Sequence, residues 1–218
     1  MMKKFVTVLS LVLFVLFANA QPPKGMGKSD PDAKKILDAV SAKFKTFKSV
    51  QSKFSLKVEN AAGKVLASKK GNVYMKGTKY RVSITGQEIF CDGSNVWTYV
   101  KTDNEVTISK IDPNSNTITP QKVFTNFYDK DFLYRLVKDE KGVQEIELTP
   151  IDKSKPFHKV VVSINKATQT ITSTKVFEKT GNKYTYTVSG MNTSGAVPDA
   201  QFVFDAKKYP GVEVVDIR

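Results

Sequence analysis

Residues able to perform catalysis or hold a metal ion are scarce in this 218-residue chain. His158 is its only histidine, so a catalytic triad could be built only around that residue, and metal sites with two histidine ligands are excluded. We interpret His158, which follows Pro156-Phe157, as a turn or strand-edge residue. The carboxylates that could act as a pair across a cleft lie in lysine-rich turn sequences, where solvated charge is the usual role: Asp129 with Asp131, and Asp139 with Glu140. The sequence therefore predicts no enzyme, no metal site and no cofactor.

The single cysteine and the charge distribution narrow the class further. Cys91 cannot form an intramolecular disulfide, and its position after Ile89 and Phe90 at the end of a strand pattern favours a small buried apolar residue. The formal net charge is +13, and lysines far outnumber arginines. Because lysines alternate with apolar residues, as in residues 53–58, they indicate a solvated outer face with weak attraction to anionic lipid head groups. This pattern differs from the clustered arginines and aromatics of nucleic-acid binders, so we predict no nucleic-acid partner.

Residues 1–20 have the pattern of a secretory signal peptide. A lysine pair precedes an apolar run of 13 residues, and Ala18-Asn19-Ala20 has the small-residue pattern of a cleavage site. An apolar run of this length is too short to span a bilayer as a helix. We therefore expect export with cleavage after Ala20, a disordered lead-in over residues 21–29, and a single domain over residues 30–218.

An amphipathic helix opens this domain. Asp30 is a good N-cap, and Pro31 fits the first helical position. The pattern predicts one helix of about five turns that packs an apolar stripe against another apolar surface. The residues of the stripe fall within an arc of about 100° at about 100° per residue: Ile36, Leu37, Val40, Phe44 and Phe47.

From Val50 onward the apolar period changes to two, which is typical of half-buried strands. Similar runs recur as far as residues 201–204. Turn sequences separate them without long helices, so the sequence predicts about eleven strands in an antiparallel meander. One helix start interrupts the series at Thr119-Pro120, and apolar residues follow it at helical spacing: Val123, Phe124, Phe127 and Tyr128.

Such a sheet has more apolar surface on its concave face than two short helices can cover. An uncovered apolar concave surface is where apolar ligands bind. For most of the aromatic residues at alternating strand positions, ordinary core packing is the safer interpretation, and the binding interpretation needs only a subset of them to line a cavity. The pattern favours an apolar binding protein over an enzyme.

Several segments, in order over residues 36–216, resemble the outer-membrane lipoprotein carrier proteins, the LolA-like family. The most specific is Asp92-Gly93-Ser94-Asn95-Val96-Trp97-Thr98-Tyr99, which resembles the family's hairpin with Asp-Gly and then Trp-x-Tyr. The other matching segments are the Phe-x-x-Val-Gln-x-x-Phe pattern of residues 47–54, Gly71-Asn72-Val73-Tyr74-Met75-Lys76, Lys79-Tyr80-Arg81, Thr119-Pro120, Leu148-Thr149-Pro150 and Tyr209-Pro210-Gly211-Val212-Glu213-Val214.

The resemblance implies a mainly β fold, an unclosed antiparallel half-barrel lidded by the N-terminal amphipathic helix and the short inserted helix. It implies a monomeric periplasmic carrier that binds the acyl chains of lipoproteins. Such carriers receive cargo from an inner-membrane ABC-type releasing complex and deliver it to the outer membrane, where a receptor is a further candidate partner. The residues expected to form the cavity and its lid are Ile36, Leu37, Val40, Phe44, Phe54, Leu56, Val73, Met75, Tyr80, Val82, Trp97, Tyr99, Phe124 and Phe127.

One departure from the family concerns the lid. Many members have Arg-Pro after the lysine of this strand, and that arginine holds the lid shut, whereas Lys76-Gly77-Thr78 lacks it. Either another group fastens the lid or the cavity is more loosely gated. Two other functions stay open on the sequence alone. One is a periplasmic carrier or sensor of other lipids or glycolipids on the same fold, and the other is an adhesion or scaffold domain with a filled core.

Overall fold

The structure, a computed structural model, describes residues 29–112 and 131–218. Within these ranges it contains one α-helix, twelve β-strands and two short 3-10 turns, at Asp199–Phe202 and Ala206–Lys208. Helix α1 spans Pro31–Lys45. Strands β1 to β12 span, in order, Val50–Glu59, Val65–Lys76, Lys79–Ile84, Gln87–Cys91, Asn95–Val100, Glu105–Lys110, Phe132–Glu140, Val143–Pro150, Phe157–Asn165, Thr170–Glu178, Lys183–Asn192 and Glu213–Asp216.

Helix α1 begins where the sequence predicts. The Asp30 carboxylate accepts a backbone N–H of the first turn at 2.8 Å, and Pro31 lies in that turn, where an N–H has no helical partner. The helix ends at Lys45, because the hydroxyl and N–H of Thr46 both bond back to a carbonyl of the last turn. It is 15 residues long, about four turns rather than about five, and Phe47 lies beyond its end. In the described part of the chain, no helix combines the length and apolar character needed to cross a membrane.

The twelve described strands form one sheet. Its order is β12-β6-β5-β4-β3-β2-β1-β11-β10-β9-β8-β7, so two meanders meet where β1 pairs with β11. The edge strands β12 and β7 do not pair with each other, and the sheet stays unclosed. The prediction of a mainly β, unclosed half-barrel with an N-terminal helix is confirmed. The predicted inserted helix lies outside the described residues.

The C-terminal segment differs from the prediction in two ways. Residues 201–204, predicted as a strand, begin in a 3-10 turn. Phe202 and Phe204 are both buried on the sheet, so their period-two alternation arises without a strand. In addition, β12 pairs with β6 in parallel, so the sheet is not entirely antiparallel.

The sheet packs apolar side chains on both of its faces. We call the face that carries α1 the inner face; its core combines α1 with residues of most strands. A second cluster on the outer face combines Phe90, Trp97, Tyr99, Val106 and Ile108 with Phe204, and Tyr209 and Val212 pack against it. The C-terminal segment therefore seals the outer face of β3 to β6.

Candidate functional site

The strand register places most of the predicted strand residues on the inner face. Val73 of β2 lies opposite Val82 of β3, and Met75 lies opposite Tyr80. Alternate residues of a strand share one face, and β1 continues the same register. Six predicted residues therefore lie on this face: Phe54, Leu56, Val73, Met75, Tyr80 and Val82.

Strand β11 extends this face on the other side of β1. Its Tyr184, Tyr186 and Val188 pair with alternate inner residues of β1 and pack against the inner core while staying partly exposed. These three residues are not among those predicted for the site from the sequence. Their alternation is visible in the sequence, but the pairing of the eleventh strand with the first is not.

Helix α1 covers one flank of the inner face. It packs against β7 and β10. Leu37 and Val40 are buried there, and Ile36 and Phe44 are partly buried against the same core. The four predicted lid residues thus lie together on the face of the helix that contacts the sheet.

The start of α1 is fastened to β7 through Asp30. Its N–H donates to the Tyr134 carbonyl at 2.9 Å, and its carboxylate accepts the Leu136 N–H at 3.1 Å. The bond from Leu136, followed by the bond from the first helical turn, holds the pKa of Asp30 below its ordinary value of 3.8. The carboxylate is therefore charged at neutral pH, which keeps it a strong acceptor for both bonds.

On the inner face, the burial of side chains decreases along the strand direction of β1, from Val50 toward the turn between β1 and β2. Along β1, Val50 is 2% exposed, whereas the inner residues from Phe54 onward are partly exposed. The partly exposed apolar region crosses β11, β1, β2, β3 and β4, which is about 19 Å, and extends about 14 Å along β1. We call this region the open inner face; its apolar residues are Phe54, Leu56, Val58, Val82, Ile84, Ile89, Tyr184, Tyr186 and Val188.

The tyrosine hydroxyls and the cysteine thiol of the inner face are kept neutral by burial. Burial raises the pKa of Tyr186, with smaller effects from Tyr184 and Glu178. At the buried base of the face, burial and then the neighbouring Cys91 raise the pKa of Tyr80 to about 12. Burial also raises the pKa of Cys91, and its buried position confirms the interpretation from the sequence. The region around these side chains thus suits an apolar group, and the exposed Lys69 lies opposite Leu56 on the same face.

Two of the predicted site residues lie on the outer face instead. Trp97 and Tyr99 belong to the outer-face cluster, where the Tyr99 ring lies 4.5 Å from the ring of Tyr209. Their alternation along β5 indicates that they share a face, but it does not determine which face. Phe124 and Phe127 lie outside the described residues.

The described histidine and carboxylates that could carry chemistry are dispersed. His158 is exposed on β9, with its ring 6.3 Å from that of Phe177. Asp139 forms a surface ion pair with Lys166 and accepts a hydrogen bond from Gln144. Over residues 29–112 and 131–218, no three potential metal ligands lie together. The described part of the chain instead forms an apolar surface with helix α1 over one flank.

Comparison with known proteins relates this arrangement to a family. Residues 45–205 match the model of the family described as outer membrane lipoprotein carrier protein LolA. That range is well over half of the chain. No curated protein matches the chain significantly.

Solved structures are similar at low sequence identity. An uncharacterized conserved protein from Thermus thermophilus is 17% identical, with 85% of this chain and 99% of that chain covered and a TM-score of 0.56. A LolA superfamily protein from Nitrosomonas europaea is 16% identical, with 79% and 97% covered and a TM-score of 0.44. The lipoprotein LppX of Mycobacterium tuberculosis is 14% identical, with 78% and 100% covered and a TM-score of 0.49. At these identities, the first of the three supports the fold alone.

Proposed function

We propose, from the premise that the chain belongs to the outer membrane lipoprotein carrier protein LolA family, that its open inner face binds the acyl chains of lipoproteins. In this proposal the protein carries the bound lipoproteins from the inner to the outer membrane and catalyses no reaction. The observation that carries this proposal is the contrast on one face. Beneath α1, and at the Val50 end of β1 to β4, the apolar residues are buried, whereas those of the open inner face are partly exposed. Exposed apolar surface of this kind is characteristic of binding sites.

The energetics suit a carrier. Each methylene that leaves water contributes about 0.8 kcal/mol, so an acyl chain laid on the open inner face would bind strongly if nothing opposed it. Cargo must also be released, so another interaction has to offset part of this binding free energy. We propose that the stripe of α1 supplies it by competing with the acyl chain for the inner face. Leu37 and Val40, which are already buried against this face, are the residues that ligand would displace.

The fastening of α1 differs from that of many family members. The usual lid arginine is missing from Lys76-Gly77-Thr78. Among the described contacts, the bonds of Asp30 to β7 hold the start of the helix to the sheet. We propose that this contact is one part of the gate, and that the helix pivots about it when cargo enters.

Membership of the family supports a proposal for the route and the partners. We propose export to the periplasm with removal of residues 1–20, whose basic start, apolar run and Ala-x-Ala end support it. We further propose that a monomer accepts cargo from an inner-membrane ABC-type releasing complex and passes it on at the outer membrane, where a receptor would be the acceptor.

The binding proposal is tested with delipidated protein and a fluorescent fatty-acid analogue. Leu56→Asp puts a carboxylate on the open inner face. It should weaken binding of the analogue about 100-fold, because the carboxylate must lose water when the acyl chain of the analogue covers it. Ser55→Asp is the matched control, since Ser55 is the next residue on the opposite face of β1. Ser55→Asp should change the affinity less than about threefold. Absence of saturable binding by the unmodified chain, or equal loss in both variants, would overturn the proposal.

The nature of the cargo needs a second measurement. The unmodified chain is isolated from the periplasm, and bound material is identified by mass spectrometry. Lipid-anchored proteins that are absent from the Leu56→Asp sample support lipoprotein transport. Free lipids or glycolipids in their place would assign the same surface to a carrier or sensor of other lipids.

A further inference from the structure

The hairpin formed by β1 and β2 extends well past its neighbour β3. Strand β2 pairs with β3 only from Gly71 onward, and Gly71 lies opposite Ile84, the last residue of β3. Residues 65–70 therefore continue for about 20 Å past β3, with β1 as their pairing partner among the described strands. We call residues 59–70 the hairpin end.

Two aliphatic side chains are exposed at the start of β2. Val65 is 50% exposed and Leu66 is 56% exposed. The pairing register shifts between Val58 and Glu59 of β1, which leaves Leu66 unmatched by a residue of that strand. About half of each side chain stays exposed at this projecting tip, so the pair is available to another surface.

Three lysines surround this apolar pair. Lys64, Lys69 and Lys70 are exposed, and within the described part of the chain none of them has an ion pair. The acid in the same segment, Glu59, is already paired with Lys57 at 3.2 Å. The hairpin end therefore presents three uncompensated positive charges next to exposed aliphatic surface.

The hairpin end is also continuous with the open inner face. Ala67 of β2 lies opposite Val58, and Lys69 lies opposite Leu56, so the inner rows of both strands lead to the tip. Exposure increases in the same direction, from Val50 to Leu66. The end of the sheet at which the open inner face is least covered is thus the end that bears the lysines.

We propose that the hairpin end docks the protein on an anionic bilayer surface. Val65 and Leu66 enter the interfacial region, and Lys64, Lys69 and Lys70 lie among the lipid phosphates. An acidic protein would match the lysines, but it would not account for an aliphatic pair at the tip, so the membrane is the better occupant. This inference goes beyond acyl binding, because it gives the orientation in which the open inner face meets a membrane.

The test is co-sedimentation of the full chain with vesicles. One set contains equal parts of phosphatidylglycerol and phosphatidylcholine, and the other contains phosphatidylcholine alone. The unmodified chain should bind the anionic set and not the neutral one. Changing Lys64, Lys69 and Lys70 together to Gln should lower the partition coefficient about 100-fold, since each lysine near such a surface contributes about fivefold. Leu66→Ser should lower it about tenfold.

Matched controls separate this surface from general attraction to a basic protein. Lys101, Lys110 and Lys207 are also exposed and have no described ion pair, so their joint change to Gln alters the net charge equally. Ile217 is 64% exposed, so Ile217→Ser is the matched control for Leu66→Ser. Both control variants should bind anionic vesicles as the unmodified chain does. Equal loss in the two lysine triples, or no binding by the unmodified chain, would overturn the proposal.

Two further measurements identify the reason for a failure. If the chain binds polyglutamate as tightly as anionic vesicles and Leu66→Ser changes neither, the hairpin end is a surface for acidic proteins and the membrane proposal is wrong. The fatty-acid analogue is titrated in parallel. A double change of Lys64 and Lys70 to Gln, which leaves the inner-face residue Lys69 in place, should retain the affinity for the analogue. Docking and acyl binding can thus fail independently.

Discussion

Shortening Leu37 to alanine tests whether α1 competes with ligand for the inner face. Leu37 is 4% exposed between the helix and the sheet, and truncating a leucine buried to this degree costs about 2–5 kcal/mol. If the helix leaves the sheet as a unit, this loss falls mainly on its docking equilibrium. If about 2–3 kcal/mol of this loss weakens the docking of α1 on the sheet, the population with α1 undocked should rise about 30- to 150-fold.

The consequence for binding has an unusual sign. When only the undocked form accepts ligand, the apparent dissociation constant equals the intrinsic constant divided by the undocked fraction. Leu37→Ala should therefore bind the fatty-acid analogue more tightly, by the same factor, until the undocked form predominates. Hydrogen exchange provides the second reading, because the amides of α1 should exchange faster while those of β9 should not.

The control is a destabilising change that does not involve the helix. Val106 is fully buried in the outer-face cluster, so Val106→Ala should lower global stability without changing the affinity for the analogue. If Leu37→Ala accelerates exchange of α1 but leaves affinity unchanged or reduced, the helix does not compete with ligand. The gating part of the proposed function would then be wrong.

Two more predictions concern the helix anchor and one close approach in the sheet. Asp30→Ala should cost about 1 kcal/mol of helix stability, measured by exchange of the α1 amides. In the unmodified chain the pKa of Asp30 is lowered below 3.8, mainly by the Leu136 N–H, so this anchor should be intact at pH 5 and lost only as the pH falls through the lowered value; weakening between pH 8 and 5 would contradict this. Gly71→Ala should cost about 3 kcal/mol in chemical denaturation, because its Cβ would lie 1.9 Å from the Ser83 carbonyl oxygen. The exposed neighbour change Asn72→Ala should cost less than about 0.5 kcal/mol, and similar losses in both variants would refute the steric argument.

Features determined by local chemistry could be predicted from the sequence. The start of α1 depends on Asp30 and Pro31, which act within one turn of the helix, and the structure begins the helix there. Strands β1 to β11 could be predicted because their alternation is local as well, whereas β12 was not predicted. The end of α1 was harder, since the apolar stripe continues to Phe47 although Thr46 already bonds back into the last turn.

Features that depend on distant pairing could not be predicted. Trp97 and Tyr99 alternate as inner-face residues would, and a shift by one residue in any hairpin exchanges the two faces. Their placement depends on a C-terminal segment that brings Tyr209 to the outer face, which the sequence does not indicate. The contribution of Tyr184 and Tyr186 depends likewise on β11 pairing with β1, a contact between segments more than 100 residues apart.

The way the sheet is supported agrees with a carrier that must stay folded with and without cargo. Helix α1 covers the flank at β7 and β10, and the C-terminal segment seals the outer face of β3 to β6. On that outer face the Arg81 guanidinium lies 4.7 Å from the centre of the Phe90 ring and contacts Glu88 at 2.6 Å and Gln201 at 2.7 Å. Between these supports, β11, β1 and β2 contribute partly exposed residues to the inner face. Because the outer-face cluster does not involve α1, the proposed displacement of the helix by ligand would leave that support of the sheet in place.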